Sequence, residues 1–362
     1  MFFKLEARSA PSKTWQVLSP LVAVLLTVIF GILLFGVLGK SPIAALSTLF
    51  VSPLSSFYGL TEITVKAAPI LLTAVGLAVC FQGKVWNIGA EGQLTMGAIF
   101  GSSVALSLPN LNNYWLLLLS LTAGVLGGMA WGSIPALLKV QFNANEILTS
   151  LMLNYVAFSV LNYVVRGPLK DPQGLNFPES APFSKYASLP TLIAGTRLHL
   201  GVLLAVVAVL LIWGLLNQTF FGFQVRVVGS SPAAAEYAGI ARDRVVWISF
   251  LIGGGLAGMA GICEVLGPIG QLRPTISPGY GYAAIIAAFI GRLNPLGIIL
   301  SSLLMALLYV GGELGQIKLG LPLALAGIFQ GILFFFLLAA DLLIYNRLRV
   351  RPKGTTKTHH KV

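Results

Sequence analysis

The sequence predicts an all-α integral membrane protein with about ten transmembrane helices. Of its 362 residues, 56% are hydrophobic and only 9% charged, whereas a soluble domain carries roughly a quarter charged residues. Its apolar runs are as long as a bilayer is thick, about 17 to 25 residues. Its Lys and Arg residues are shared unequally between alternate loops, the bias expected when basic residues collect on the cytoplasmic side. An unusually apolar soluble enzyme would interrupt its runs with charged faces, and this chain does not.

Residues 1–362 read as one polytopic domain. The opening segment MFFKLEARSAPSKTW precedes a long apolar run without a small-residue cleavage site behind it, so it reads as an uncleaved first span rather than a signal peptide. Spans are expected over 17–38, 63–81, 88–108, 114–138, 147–165, 198–216, 245–266, 295–310 and 321–344. A tenth apolar stretch, 280–290, is short enough to be either a crossing or a re-entrant half-helix. Charge favours the crossing. With ten passes, fifteen of the 23 basic side chains fall on the inner side and seven on the outer, with Lys66 inside a span. Both termini are then cytoplasmic, in a cell (inner or plasma) membrane. The net charge of +12 is explained by this topology, and no nucleic-acid partner is expected. Cys80 and Cys263 sit in apolar runs and read as small core residues.

Two loops are long. The outer one, 166–197, contains Pro168, Pro172, Pro178 and Pro182 and reads as an irregular cap or docking surface. The inner one, 217–244, contains Ser230-Ser231-Pro232, a capping residue and a helix-starting proline. After these come Ala233, Ala234, Ala235, Glu236, Tyr237 and Ala238, then Gly239 as a stop and Ile240. A helix of about two turns is too short to be stable alone. It needs a surface, either the rest of this chain or a second protein; an ordinary loop with one helical turn is the plainer alternative. The basic tail, 346–362, reads as a disordered cytoplasmic end, and His359 and His360 are given no function.

Polar residues within spans cost free energy and face a bundle interior or a water-filled path. Asn87, Glu91 and Gln93 stand at the inner start of one span, with Gly89, Gly92 and Gly97 allowing close backbone approach. They line or gate the pathway, or else Glu91 is an acid favoured by the helix dipole and Gln93 bridges helices. Asn154 and Asn162, eight residues apart, and Gln330 lie deeper; a neutral stripe of this kind suits an uncharged, hydroxylated substrate, and interhelical bonding is the alternative. The middles of the spans are otherwise almost free of ionisable groups, which argues against an ion-coupled carrier. Glycine pairs four apart, such as Gly97 with Gly101 and Gly254 with Gly258, make flat helix faces. The letters of a dinucleotide fingerprint at Gly253, Gly255 and Gly258 lie inside a span, so packing explains them. No catalytic triad, metal cluster or acid pair is visible, so neither a catalytic nor a metal site is expected.

The stretch GSSPAAAEYAGI, followed by a Gly-rich span, resembles the coupling helix of ABC importer permeases of the branched-chain amino acid, ribose and simple-sugar class. VWNIGAEGQLTMGAIFGS, NANEILTSLMLNYVAF and the outer GPLKDPQGLNFP are similar to its nucleoside-uptake branch, of the guanosine type. The resemblance implies that Pro232 to Ile240 dock in a groove of a separate ATPase subunit, which would hold the ATP and Mg, with no cofactor on this chain. It also implies a second permease, homologous or identical, and an extracytoplasmic substrate-binding lipoprotein. The expected activity is alternating-access import of a nucleoside, with a simple sugar such as a pentose as the alternative and an ion-coupled carrier as the more distant one.

Overall fold

The computed structural model describes residues 2–8, 12–174, 176–322 and 324–351. The basic tail beyond Arg351, with His359 and His360, lies outside the described residues. Strand β1 (Phe2–Ala7) leads into α1 (Lys13–Val37), whose cap Ser12 accepts from the Trp15 N–H. Helix α2 (Pro42–Leu46) continues in a widened and then a tightened turn to Leu54. Then follow α3 (Phe57–Gln82), α4 (Ala90–Ser107), α5 (Trp115–Phe142) and α6 (Glu146–Arg166). After the long loop come α7 (Leu200–Gln218), α8 (Phe220–Ser230), α9 (Pro232–Tyr237) and α10 (Arg242–Glu264), the last extended by a widened turn to Ile269. Helices α11 (Tyr280–Ile290), α12 (Pro295–Leu319) and α13 (Ala324–Tyr345) and strand β2 (Asn346–Arg351) complete the described chain.

β1 and β2 pair antiparallel in register from Phe2 opposite Arg351 to Ala7 opposite Asn346, and α1 packs along α13. Both ends of the described chain therefore lie on one face, here the terminal face, and the number of passes is even. Among the described residues, eight helices are long and apolar enough to cross a membrane. Helix α4, with 18 residues, spans about 27 Å. Helix α11 has 11 residues and covers about 16 Å, roughly half of a bilayer core. The other half is crossed by irregular chain: Leu272 pairs with Ser180 of the long loop on the distal face, and Gly281 meets Glu91 in the bundle interior. The stretch 270–290 thus passes through the bundle, half extended and half helical, and brings the total to ten.

Helix α3 is the hub, with 89% of its apolar window buried, whereas α1 and α6 stand at the rim with 22% buried. Around the hub, α4, α5 and α10 approach so closely that a Cβ on Gly97 would lie 2.2 Å from Gly258 Cα, and one on Gly128 2.1 Å from the Gly254 carbonyl oxygen. In lipid, where apolar burial drives little, such contact is what holds helices together. The dinucleotide-like glycines are spent on this packing. Helix α8 was not expected: FFGFQVRVVGS is rich in β-branched residues and glycine, poor helix formers. It is held because Val225 and Val228 form a small core with Ala235 and Val245.

Candidate functional site

The starts of α4 and α11 meet inside the bundle. A helix start leaves backbone N–H groups without helical partners, and in a bilayer interior no water replaces them. Asn154 of α6 answers for α4: its Oδ1 accepts from the Gly92 N–H at 2.8 Å, and its Nδ2 donates to the Ile88 carbonyl at 3.1 Å and to the Tyr282 hydroxyl at 3.2 Å. Ser150, one turn earlier, accepts from the Ile88 N–H at 3.1 Å. Glu91 answers for α11, accepting from the Gly281 N–H, with the Ser277 hydroxyl and the Tyr282 N–H also turned to its carboxylate. Asn87 and Gln93 exchange two amide hydrogen bonds, 2.9 and 3.1 Å. Asn87, Glu91, Gln93 and Asn154 are each at most 1% exposed. Gly281 makes the junction possible, since a Cβ there would lie 2.5 Å from the Glu91 nitrogen. The positive ends of α4 and of the half-length α11 thus meet at one carboxylate.

Asn162 and Gln330 stand apart from this junction. Eight residues along a helix rotate the side chain by about 80°, enough to bury Asn154 against α4 and leave Asn162 half exposed, bordering a cavity of about 510 Å³ with Tyr163, Arg166 and Gly167. Asn162 joins a different row. Tyr155, Ser159, Asn162 and Arg166 follow at spacings of four, three and four, one face of α6, on which Tyr155, Ser159 and Arg166 are exposed and Asn162 half exposed. Tyr282 shows its ring beside the same face, 37% exposed, and interacts with Tyr155. Gln330 of α13 is buried elsewhere, with its Nε2 unpartnered.

On the terminal face, α9 forms as its residues dictate. The Ser231 hydroxyl accepts from the Ala234 N–H at 3.3 Å, Pro232 opens the first turn, and Gly239 at φ +70 reverses the chain so that the Ile240 N–H reaches the Ala235 carbonyl at 2.9 Å. Only Ala235 of the helix is buried. Pro232, Ala233, Ala234, Glu236, Tyr237, Ala238 and Gly239 are exposed, and Tyr237 is 97% exposed. Ile240, half buried, packs against the small core beneath.

Residues 59–338 match the family described as "Branched-chain amino acid transport system / permease component". The chain belongs to this permease family. It is 37% identical to the glucose ABC transporter permease protein TsgB13 of Haloferax volcanii, over 92% of this chain and 89% of that one. It is 30% identical to the guanosine ABC transporter permease protein NupP of Bacillus subtilis, over 94% and 98%. It is 27% identical to the nucleoside ABC transporter permease protein NupB of Lactococcus lactis, over 90% and 92%.

The permease also holds a charged cluster that sequence reading missed. Near the distal face Lys66 of α3 pairs with Glu313 of α12 at 2.9 Å, and Glu62 of α3 takes both a 3.0 Å bond from Arg197 Nε and a second from its guanidinium. Glu264, at the end of α10, is buried beside them with Oε2 unpartnered. Expecting almost no ionisable groups in the middles of the spans overlooked that charges from three helices, α3, α10 and α12, converge with Arg197 of the long loop. Next to them His199 caps α7, its Nδ1 accepting from the Gly201 N–H at 3.1 Å, and burial pushes its imidazole down to about 4.

Proposed function

We propose that this permease is the translocating subunit of an ATP-driven importer of nucleosides. The row Tyr155, Ser159, Asn162 and Arg166, with Tyr282 beside it, carries the reading. Hydroxyls and an amide at bilayer depth are costly against acyl chains, and Arg166 closes the row at the distal end of α6, so this face belongs to a water-filled path or to another protein. Aromatic rings offer a base a stacking surface, and hydroxyl and amide groups suit a ribose. Relatives named for guanosine and nucleoside transport support the substrate; the 37% identity to a glucose permease favours a sugar as the second reading.

In this reading a second permease, homologous or identical, faces α6 and closes the path. A separate ATPase holding ATP and Mg²⁺ docks on Pro232 to Ile240, and a substrate-binding lipoprotein docks on the distal loop. The terminal face is cytoplasmic, as the basic residues suggest. Closure of the ATPase pushes α9, and through α8 and α10 moves α4 and the half-length α11, so that the path opens alternately to either side. Uptake of labelled guanosine, adenosine, glucose and ribose in cells with and without this chain tests the proposal. Nucleoside uptake dependent on the chain and on an ATPase partner is expected. Dependence confined to a sugar would select the second reading, and uptake that survives without any ATPase but fails when ion gradients are dissipated would overturn both.

A further inference from the structure

The terminal face carries a second polar cavity, separate from the translocation path. It encloses about 470 Å³ between Gln82 at the end of α3, Asn217 at the end of α7, Arg226 and Ser230 of α8, and Arg292 and Asn294 of the turn between α11 and α12. The charges of its two arginines are unequally matched. Arg292 pairs with both oxygens of Asp341, at 2.6 and 2.8 Å, yet its Nε is buried without a hydrogen-bond partner. Arg226 donates to the Leu216 carbonyl and pairs with no carboxylate among the described residues. The wall itself is strained: Arg292 and Leu293 hold φ of +57 and +55, and Gln82 fixes the turn by donating to the Leu293 carbonyl at 2.7 Å. Non-glycine residues keep that conformation only where their surroundings impose it, often at ligand sites.

Helix α8 supplies an independent observation. Its exposed side shows, in order, Phe220, Phe223, Arg226 and Ser230, while Val225 and Val228 are buried on the other. The two phenylalanine rings stack with centroids 6.1 Å apart, in the open, where α7 leaves the bundle. Aromatic rings followed one turn later by a guanidinium are the arrangement of a helix lying in the membrane interface.

We propose that this cavity holds the phosphate of an anionic phospholipid headgroup, with Arg226 and Arg292 as its cationic wall and the Phe220 and Phe223 rings against the upper acyl chains. A soluble phosphate shares the headgroup's charge and acceptor oxygens, but it would leave the exposed aromatic pair without a partner. Native mass spectrometry of the full chain with its partner subunits, released from nanodiscs of equal phosphatidylglycerol and phosphatidylcholine, tests this. Retention of phosphatidylglycerol is expected to exceed that of phosphatidylcholine about tenfold, and to fall about fivefold in Arg226→Gln. The double variant F220S/F223S, which leaves the interior untouched, should lose about threefold. Equal retention of the two lipids, or retention unchanged in both variants, would overturn the proposal. Displacement of the lipid by inorganic phosphate would overturn it in favour of a soluble anion. Loss of the ATPase from Arg226→Gln with the lipid still bound would overturn it in favour of a protein carboxylate.

Discussion

The first turns of α4 and α9 face the same shortage of partners for their N–H groups, and each is supplied from a different distance. For α9 the donor and acceptor are three residues apart, Ser231 and Ala234; for α4 they are 62 apart, Gly92 and Asn154. One helix start is complete in itself and stands in solvent. The other is dry and draws its partners from α6 across the bundle. Their difference separates two kinds of importance: a change in the junction of α4 and α11 damages the bundle, whereas a change in α9 damages what the bundle connects to.

The sharpest way to break this contrast is at Gly281. Gly281→Val puts a side chain into the Glu91 backbone and is expected to cost about 3 kcal/mol or more. Little folded protein should be recovered, as read by yield and size-exclusion profile; a well-folded, active variant would show that the junction is loose. Asn154→Ala leaves the Gly92 N–H and the Ile88 carbonyl unpaired and should cost about 1–3 kcal/mol, seen as a lower melting temperature in detergent with the complex otherwise intact. For α9 the expectation reverses. Gly239→Val strains the left-handed position by about 1–2 kcal/mol within a solvent-exposed turn. Melting of the bundle should hardly move, while transport and the stimulation of ATP hydrolysis by substrate separate from each other. R242E/R244E should do the same without backbone strain, lowering uptake about tenfold, equivalent to some 1.4 kcal/mol.

Near neutral pH the smallest effect is expected at His199. Its folded imidazole is pushed below the ordinary 6.5 to about 4, so the unfolded chain takes up the proton first. Stability is therefore full above pH 6.5 and is lost as pH falls towards 4. His199→Gln should flatten that part of the melting curve against pH; an unchanged acid limb would assign it to carboxylates instead.

What the sequence made legible follows physical range. Spans were readable because hydropathy is a local property summed over a window, and α9 because Ser231, Pro232 and Gly239 are local punctuation. Asn87, Glu91, Gln93 and Asn154 were visible as costly residues at depth, but their grouping was not, because it depends on a contact between α4 and α6 and on an α11 that begins halfway through the bundle. The charged cluster escaped for the same reason: Glu62, Lys66, Arg197, Glu264 and Glu313 are scattered through the sequence, and only the packing of α3, α10 and α12 against the long loop brings them together. Helix α8 escaped because its support is tertiary, with Val225 and Val228 against Ala235 and Val245.

The pairing of β1 with β2 bears on how the molecule is made. It joins segments with the longest sequence separation the described chain contains, so its closure entropy is the largest any contact here must offset. The glycine-lined group of α4, α5 and α10 can assemble while synthesis is still under way. The seam between α1 and α13 cannot, because it waits for α13 to be made. Of the contacts described, the rim therefore closes last: insertion yields a bundle with an open side until α13 arrives beside α1.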